Sequence, residues 1–289
     1  MGRIGTYYQL TKPRVTYGNV LTAVAGFLLG CGYFKTFDLL LFIATIVGMT
    51  LVIASACVLN NVLDQDIDRI MERTKTRGVA SGEVAGLPAT VFSAVLGLIG
   101  IFILAVWVNG LVVAIGIAGF IIYVWLYGAL SKRKSVHGTA VGSVSGAAPI
   151  LAGYVAVSGR IDAAAVLLFL MLFFWQFPEF YSIGIYRKKE YAAAKVPIMP
   201  VVKGVKNTKL QIFIYTVAFV VTSLLLTIYG YTGWIYFIIM AALGLYWLRL
   251  AAEGLRTKDS DKWARRMFHF SLIILLSLSL MLSIGAILP

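Results

Sequence analysis

Nine apolar runs, separated by short polar stretches, set the layout of the chain. They cover residues 15–34, 38–59, 87–108, 110–130, 138–158, 163–186, 211–230, 232–248 and 268–288. Most are about 20 residues or longer, the length a helix rising about 1.5 Å per residue needs to cross about 30 Å of hydrocarbon. The fifth run is rich in Gly, Ala and Ser. It reads as a span whose small residues let neighbouring helices approach closely, the alternative being a buried loop. The pattern predicts an all-α, polytopic membrane protein: a single domain over 1–289 with nine transmembrane helices around a central cavity that opens to cytoplasmic polar loops.

Composition agrees. Of 289 residues, 60% are hydrophobic and 13% charged, with mean hydropathy +0.90, which excludes a soluble domain. The first run follows a polar segment, 1–14, too long for a minimal signal n-region, so it is expected to be retained. Cys31 and Cys57 both lie inside apolar runs, so no disulfide framework is expected.

Charge supplies the orientation. Of 25 Lys and Arg residues, all but Lys35 and Arg160 fall in the N-terminus and in the loops after spans 2, 4, 6 and 8. With nine spans these segments share one face, which the positive-inside rule makes cytoplasmic, with the N-terminus there and the C-terminus outside. The net charge of +13 is mostly this bias. Because it is split among short loops, it argues against a nucleic-acid partner.

The loop after span 2 breaks the apolar pattern with chemistry. Five of only 12 acidic residues (Asp64, Asp66, Asp68, Glu72, Glu83) fall in it. Asn60, Asp64 and Asp68 are spaced i, i+4, i+8, so on a helix they share a face. Such a ladder of oxygen ligands suits Mg²⁺, which takes one or two protein carboxylates and leaves its other positions to water and phosphate. The cations that follow, Arg69, Arg73, Lys75 and Arg77, suit a phosphate.

Other polar positions are fewer. Thr11-Lys12-Pro13-Arg14 leads into span 1 and reads chiefly as a membrane anchor with proline in the first helical turn. The loop after span 4 carries Lys132, Arg133 and Lys134, and His137. His137 and His269 are the two histidines. Gln176 and Glu179 lie inside span 6, where an ionisable group is by default a functional-site candidate. Glu190, in the next loop, is a candidate second metal carboxylate, weighed against an ordinary ion pair with a neighbouring lysine.

Taken together, these motifs resemble the UbiA superfamily of intramembrane prenyltransferases, over nearly the whole chain. The resemblance rests on Thr11 to Arg14, Ala54 to Cys57 leading into Asn60-Asn61, Asp64 to Asp68, Met71 to Lys75 with Arg77, and Ser131 to Arg133. It continues through Gly146 to Pro149, Trp175-Gln176 with Pro178, Tyr191, and Pro197 to Gly204. The longer motifs resemble the haem-farnesylating branch. There are departures. The family usually has His after the span 6 proline, where this chain has Glu179. The later acidic position is commonly Asp, here Glu190, and the usual double proline is Pro149-Ile150.

The resemblance implies a Mg²⁺-dependent transfer of farnesyl from farnesyl diphosphate to the 2-vinyl group of haem B, with addition of water. It implies Asn60, Asp64 and Asp68 as catalytic and metal-binding residues, with Glu190 as a further ligand. It implies substrate contacts from Arg69, Arg73, Lys75, Arg77, Lys132, Arg133, Gln176, Glu179, Tyr186, Arg187, Glu190 and Tyr191. It places the protein in the cell inner (cytoplasmic) membrane, with a haem-modifying enzyme or terminal oxidase taking the product. Two other readings compete: a prenyltransferase acting on a quinone precursor or other lipid, and a transporter whose path is lined by Gln176 and Glu179. Release of diphosphate from farnesyl diphosphate separates enzyme from transporter.

The charge segregation yields a direct test. Reporter fusions at Gly138 and at Pro289 are expected to report opposite sides of the membrane; a shared side would overturn the nine-span topology.

Overall fold

A computed structural model describes residues 2–286 and 288–289. Among the described residues, nine helices are long and apolar enough to cross a membrane: α1 Pro13–Phe34, α2 Leu39–Leu63, α3 Gly86–Trp107, α4 Gly110–Lys134, α5 Gly138–Ser158, α6 Ala163–Tyr186, α7 Gly204–Ile228, α8 Trp234–Arg256 and α9 Ser260–Gly285. No strand occurs among them. The protein is a multi-pass, all-α membrane protein.

The helices match the apolar runs, with one systematic difference. At the face that carries the basic loops, α2 and α4 each run four residues further than hydropathy predicted. α8 ends eight residues later there, and α7 and α9 begin seven and eight residues earlier. Hydropathy marks the hydrocarbon, whereas the backbone hydrogen-bond ladder continues into water. The helices therefore project from the apolar layer as polar turns, and candidate site residues such as Asn60 and Lys132 sit on these projections.

The small-residue run is a helix, α5, not a loop. It packs along α1 with backbones in contact. A Cβ on Gly26 would lie 2.2 Å from the Ile150 carbonyl oxygen, and one on Gly153 would lie 2.0 Å from that of Ala23. In lipid, where apolar burial gives no advantage over contact with acyl chains, such close packing is what holds helices together. α5 also packs on α6. α6 packs on α7 and α9, α2 on α3, and α9 closes back against α1. Tyr154, Leu168, Met171, Phe219, Tyr236 and Trp247 are buried in the resulting core.

Two smaller apolar clusters organise the basic face. In one, Leu10, at the end of a helix spanning Arg3–Leu10, packs with Val58 of α2, Val79 and Val84 of the following loop, and Ala89 of α3. In the other, Ile67 and Met71 meet Ala194 and Val196, so the loop after α6 lies across the loop after α2. The N-terminus and both loops are thus seated on α2 rather than free in solvent.

Gly153→Leu is expected to remove the α1–α5 contact and cost about 1–3 kcal/mol, as overpacking does. A lowered melting temperature in detergent checks it. Gly18→Leu, at a glycine with open space around it, is expected to leave the melting temperature unchanged.

Candidate active site

The predicted ladder forms, although not on one unbroken helix. α2 stops at Leu63, and Asp64 caps it at φ −92°, ψ 5°. A new short helix, Gln65–Ile70, then begins. The i→i−4 bonding survives the change: Asp64 N–H donates to the Asn60 carbonyl at 2.9 Å and Asp68 N–H to that of Asp64 at 2.8 Å. The three side chains therefore keep their successive spacing while the chain bends. All three are buried, Asp64 completely.

Each rung is hydrogen-bonded to a cation from a different segment, and Asp64 also has Arg133 at 3.9 Å. Lys12, ahead of α1, donates from Nζ to Asn60 Oδ1. Lys132, at the end of α4, donates to Asp64 Oδ2 at 2.5 Å. Arg77, in the loop after α2, donates from Nη1 to both Asp68 oxygens, at 2.8 and 3.0 Å. A buried carboxylate without a partner is strongly disfavoured, so these contacts tie the segments to α2.

Asp66 faces elsewhere, as the helical step requires. It is 62% exposed and takes the Arg133 fork at 2.7 Å on both oxygens. That hydrogen-bonded guanidinium holds its carboxyl down at about 2. Arg133 also donates to the Leu63 carbonyl at 2.5 Å. A cavity of about 290 Å³ opens beside this pair, bounded by Ile67, Ile70, Lys195 and Val196.

Lys12 was read chiefly as an anchor; its side chain instead reaches the site. Its backbone is left-handed, φ 49° and ψ 64°, uncommon for a residue with a Cβ. Neighbouring bonds hold it there. Asn61 Nδ2 donates to the Leu10 carbonyl at 2.7 Å, and Thr16 Oγ1 to that of Thr11 at 2.7 Å. Burial, and secondarily Arg77, lower its ammonium from the usual lysine range to about 8.

Tyr123 and Tyr127 were also missed. They lie in a π-helical stretch, Ile122–Ser131, with rings stacked at 5.8 Å. Tyr127 shares an electrostatic neighbourhood with Lys132, Tyr191, Asp64 and Arg73, and Tyr123 with Cys57, Asp64 and Arg77. π-Turns recur at functional sites. Here the wider turn carries Gly128 past α2, where a Cβ would come within 3.3 Å of Asn60 Nδ2. The signal available in the sequence was a pair of tyrosines four residues apart just before the basic loop.

Other predicted residues stand apart from the ladder. Lys75 pairs at 2.7 Å with exposed Glu72, a solvated i, i+3 contact. Arg69 donates from Nε to the Ala80 carbonyl at 3.0 Å, so it braces the loop, and the role of holding Asp68 falls to Arg77. Arg73 is exposed. Gln176 spends its amide on the Ser143 and Leu172 carbonyls at 3.0 and 2.9 Å and leaves no room for a Cβ at Gly146, so it joins α6 to α5. Trp175 donates to the Ser271 carbonyl of α9 at 3.0 Å. Glu179, half-buried, has no hydrogen-bond partner among the described residues. Arg187 pairs with Glu190 at 2.7 Å. The Tyr186 ring carries Arg265 at 4.6 Å on its way into α9. His137 is exposed at the start of α5.

The donor set fits a hard divalent cation in company with phosphate. Among the described residues no three His, Cys, Asp or Glu side chains converge on one point. Magnesium needs only one or two protein carboxylates when phosphate oxygens complete its shell. Asp64 Oδ1 and Glu190 Oε2 are buried oxygens without a hydrogen-bond partner.

Comparison with known proteins gives the same picture. The model of the UbiA prenyltransferase family matches residues 7–273. The protoheme IX farnesyltransferase of Yersinia enterocolitica is 44% identical over 286 residues, covering 99% of this chain and 96% of that one. The enzyme of that name from Photorhabdus laumondii is 43% identical over 286 residues, covering 99% and 97%. Among solved structures, a digeranylgeranylglyceryl phosphate synthase superposes with TM-score 0.82 at 22% identity, covering 99% of both chains. A UbiA homolog from Archaeoglobus fulgidus bound to GPP and Mg²⁺ gives 0.70 at 13% identity, covering 96% and 99%. With the family model matching residues 7–273 and relatives 43–44% identical along nearly its whole length, this chain belongs to the UbiA prenyltransferase family.

Proposed function

We propose that this protein transfers the farnesyl group of farnesyl diphosphate to the 2-vinyl group of haem B, with addition of water, giving haem O and diphosphate. The observation that carries the reading is the ladder itself. Two buried carboxylates and an amide oxygen are matched by three cations at the edge of an apolar layer, in a chain 44% identical to a protoheme IX farnesyltransferase along its length. A prenyl diphosphate has the same polarity, with an apolar tail for the membrane and a polyanionic head for the basic face. Haem likewise sets an apolar macrocycle against two carboxylates.

The residues divide the work. Asp64, Asp68 and Glu190, with Asn60, would hold Mg²⁺, which when bound supplies positive charge to the departing diphosphate. Lys132 and Arg77 turn from the carboxylates to phosphate oxygens, and Arg133 and Arg187 flank them. Tyr123 and Tyr127 form a wall whose ring faces suit a developing allylic cation. The loop carrying Tyr191 and Val196 covers the loop carrying Ile67 and keeps water from the cation until the acceptor has attacked. Glu179 faces the acceptor side of α6 and orients the haem. The basic loops are cytoplasmic, the membrane is the bacterial inner membrane, and a haem-modifying enzyme or terminal oxidase takes the product.

Mass spectrometry of the haem pool in membranes carrying the protein is the deciding experiment. Haem B converted to haem O, with release of diphosphate, supports the reading. Diphosphate release with a prenylated quinone precursor and no haem O would replace it.

Asp64→Asn and Asp68→Asn are each expected to lower turnover by about 100-fold or more, the scale on which removal of one transition-state charge contact acts. Asp66→Asn, on the exposed side, should stay within about threefold, since exposed ion pairs contribute little. Initial rates of diphosphate release check both; equal losses at all three would place Asp66 in the site. Glu179→His is expected to keep haem farnesylation and Glu179→Ala to lose it. If both keep full rate, Glu179 has no part in orienting the acceptor.

A further inference from the structure

α9 leaves the basic face with two adjacent guanidiniums, and only one of them has a counter-charge. Arg266 shares Glu253 with Arg249, at 3.6 and 3.5 Å. Arg265 has no carboxylate partner among the described residues and lies instead over the Tyr186 ring, 4.6 Å from its centre. The other guanidinium near that ring, Arg187 at 5.6 Å, is already matched by Glu190 at 2.7 Å. Two guanidiniums and one carboxylate thus gather around Tyr186. An aromatic face attracts a guanidinium and fixes its plane, but supplies no counter-charge. Arg265 is exposed at the basic face, so its planar fork is held in place and open to an anion from outside the chain.

Tyr186 is also the outer end of a stripe along α6. Trp175, Glu179, Ser182 and Tyr186 recur every three or four residues, so they share one face of the helix. Both ends of that face meet α9: Trp175 donates to the Ser271 carbonyl at 3.0 Å, and Tyr186 lies edge-on to Phe268. Glu179 and Ser182 lie between, and their polar atoms have no hydrogen-bond partner among the described residues. Ser182 is buried, yet it does not close on the preceding turn as Ser143, Thr216 and Ser271 do. α6 runs toward the basic face, so Glu179 lies about 10 Å deeper than Tyr186, seven residues at about 1.5 Å each. The stripe therefore leads from an unmatched guanidinium at the surface to unpartnered polar groups inside. Haem B has a matching polarity. Its two carboxylates leave one edge of the macrocycle and its two vinyl groups the opposite edge. Glu179 offers a carboxylate no cation, so the carboxylate edge belongs at Arg265 and the vinyl edge points inward.

We propose that Arg265 is an acceptor-binding residue whose guanidinium, held on the Tyr186 ring, pairs with a carboxylate of haem B and sets the macrocycle with its vinyl edge toward the interior of the membrane. The proposal rests on the prenyl-transfer reading and adds to it the group that recognises the charged edge of the acceptor.

The test changes ligand and residue together. The full chain is purified in lipid nanodiscs as wild type, Arg265→Gln and Arg265→Lys. Kd for haem B and for its dimethyl ester, in which both carboxylates are neutral, is read from the Soret absorbance. KM and kcat for haem O formation and Kd for farnesyl thiodiphosphate are measured beside them. Arg265→Gln is expected to weaken haem B binding and raise its KM by about tenfold, the scale of one charge-assisted contact. Over the same change, kcat and Kd for the thiodiphosphate should stay within about threefold, as expected of a separate site. The diester is expected to bind the wild type about tenfold more weakly than haem B and to be insensitive to Arg265→Gln. Arg265→Lys, which keeps the charge but not the fork, should recover at least about threefold of the lost affinity. Esterifying the ligand leaves the chain intact, so that comparison holds even where a variant fails to fold. Equal affinity of the wild type for haem B and its diester overturns the proposal. So does an unchanged Kd for haem B in Arg265→Gln. A loss of the same size for both ligands also overturns it, making Arg265 a structural contact or an anchor for a lipid headgroup. A wild type that forms no haem O sinks the transfer reading and the proposal with it, whereas haem O from a wild type whose Arg265→Gln variant binds haem B unchanged removes Arg265 alone.

Discussion

Burying carboxylates at the rim of an apolar layer is the constraint on which the rest of the site depends. Asp64 and Asp68 have almost no contact with solvent, and removing the partner of a buried ion costs about 3–5 kcal/mol. The chain meets that demand from segments far apart in sequence: Lys132 from the end of α4, and Arg77 from the loop after α2. Each pairing is also a tether. Without them the loop after α2 and the end of α4 would be separate polar turns at the membrane edge; with them they converge on the bend just after α2, between Asp64 and Asp68. Apolar contacts then finish the assembly, with Leu10 fastening the N-terminal helix and Val196 the loop after α6.

Under the proposed function, the same pairs would ready the site for an anion. A cation already within about 3 Å of a carboxylate is desolvated and oriented, so turning to a phosphate oxygen costs less reorganisation than recruiting a hydrated lysine from solvent. The carboxylates released in that exchange are then free to take a hard cation. Ion pairs at such a site therefore act as a preorganised exchange set, and their value lies in what replaces them more than in the stability they confer.

The carboxylate ladder and the nine spans were legible in the sequence because both depend on local periodicity: i, i+4 spacing for Asn60, Asp64 and Asp68, and runs of about 20 apolar residues for the helices. The partner of each carboxylate was not legible. Seven cations in the loops after α2 and α4 compete for three carboxylates, and long side chains reach across many spacings. Lys75 was taken by its neighbour Glu72, and Arg69 by the Ala80 carbonyl. Lys12 was hidden for a different reason. Its position depends on a fold-back fastened by Asn61, 51 residues away from the Leu10 carbonyl it binds, and a proline at a helix start is too common a signal to suggest it. Tyr123 and Tyr127 depend on a π-turn, which no periodicity of 3.6 can forecast.

Gln176 and Glu179 were the candidates for function inside a membrane span at the level of sequence, and the structure separates polar residues by whether their hydrogen bonds close within the protein. The Gln176 amide nitrogen donates to two backbone carbonyls, and the residue packs so tightly against Gly146 that its position is fixed by helix contact; it serves as cross-helix glue. Ser55 and Ser93 close on each other in the same manner between α2 and α3. Asn60, Asp64 and Glu190 differ. Each keeps a buried polar atom without a partner, Nδ2, Oδ1 and Oε2 respectively, although each already holds one cation or sits beside one. An unsatisfied buried group costs about 1–3 kcal/mol, a cost a purely structural network would have removed by closing the last bond. Asn61, Ser182 and Trp247 also keep such atoms, but none of the three holds a cation through its side chain. Where the orphaned atoms lie on residues that hold or adjoin cations, at the basic face, their missing bonds are ones that the metal and diphosphate of the proposed function would supply.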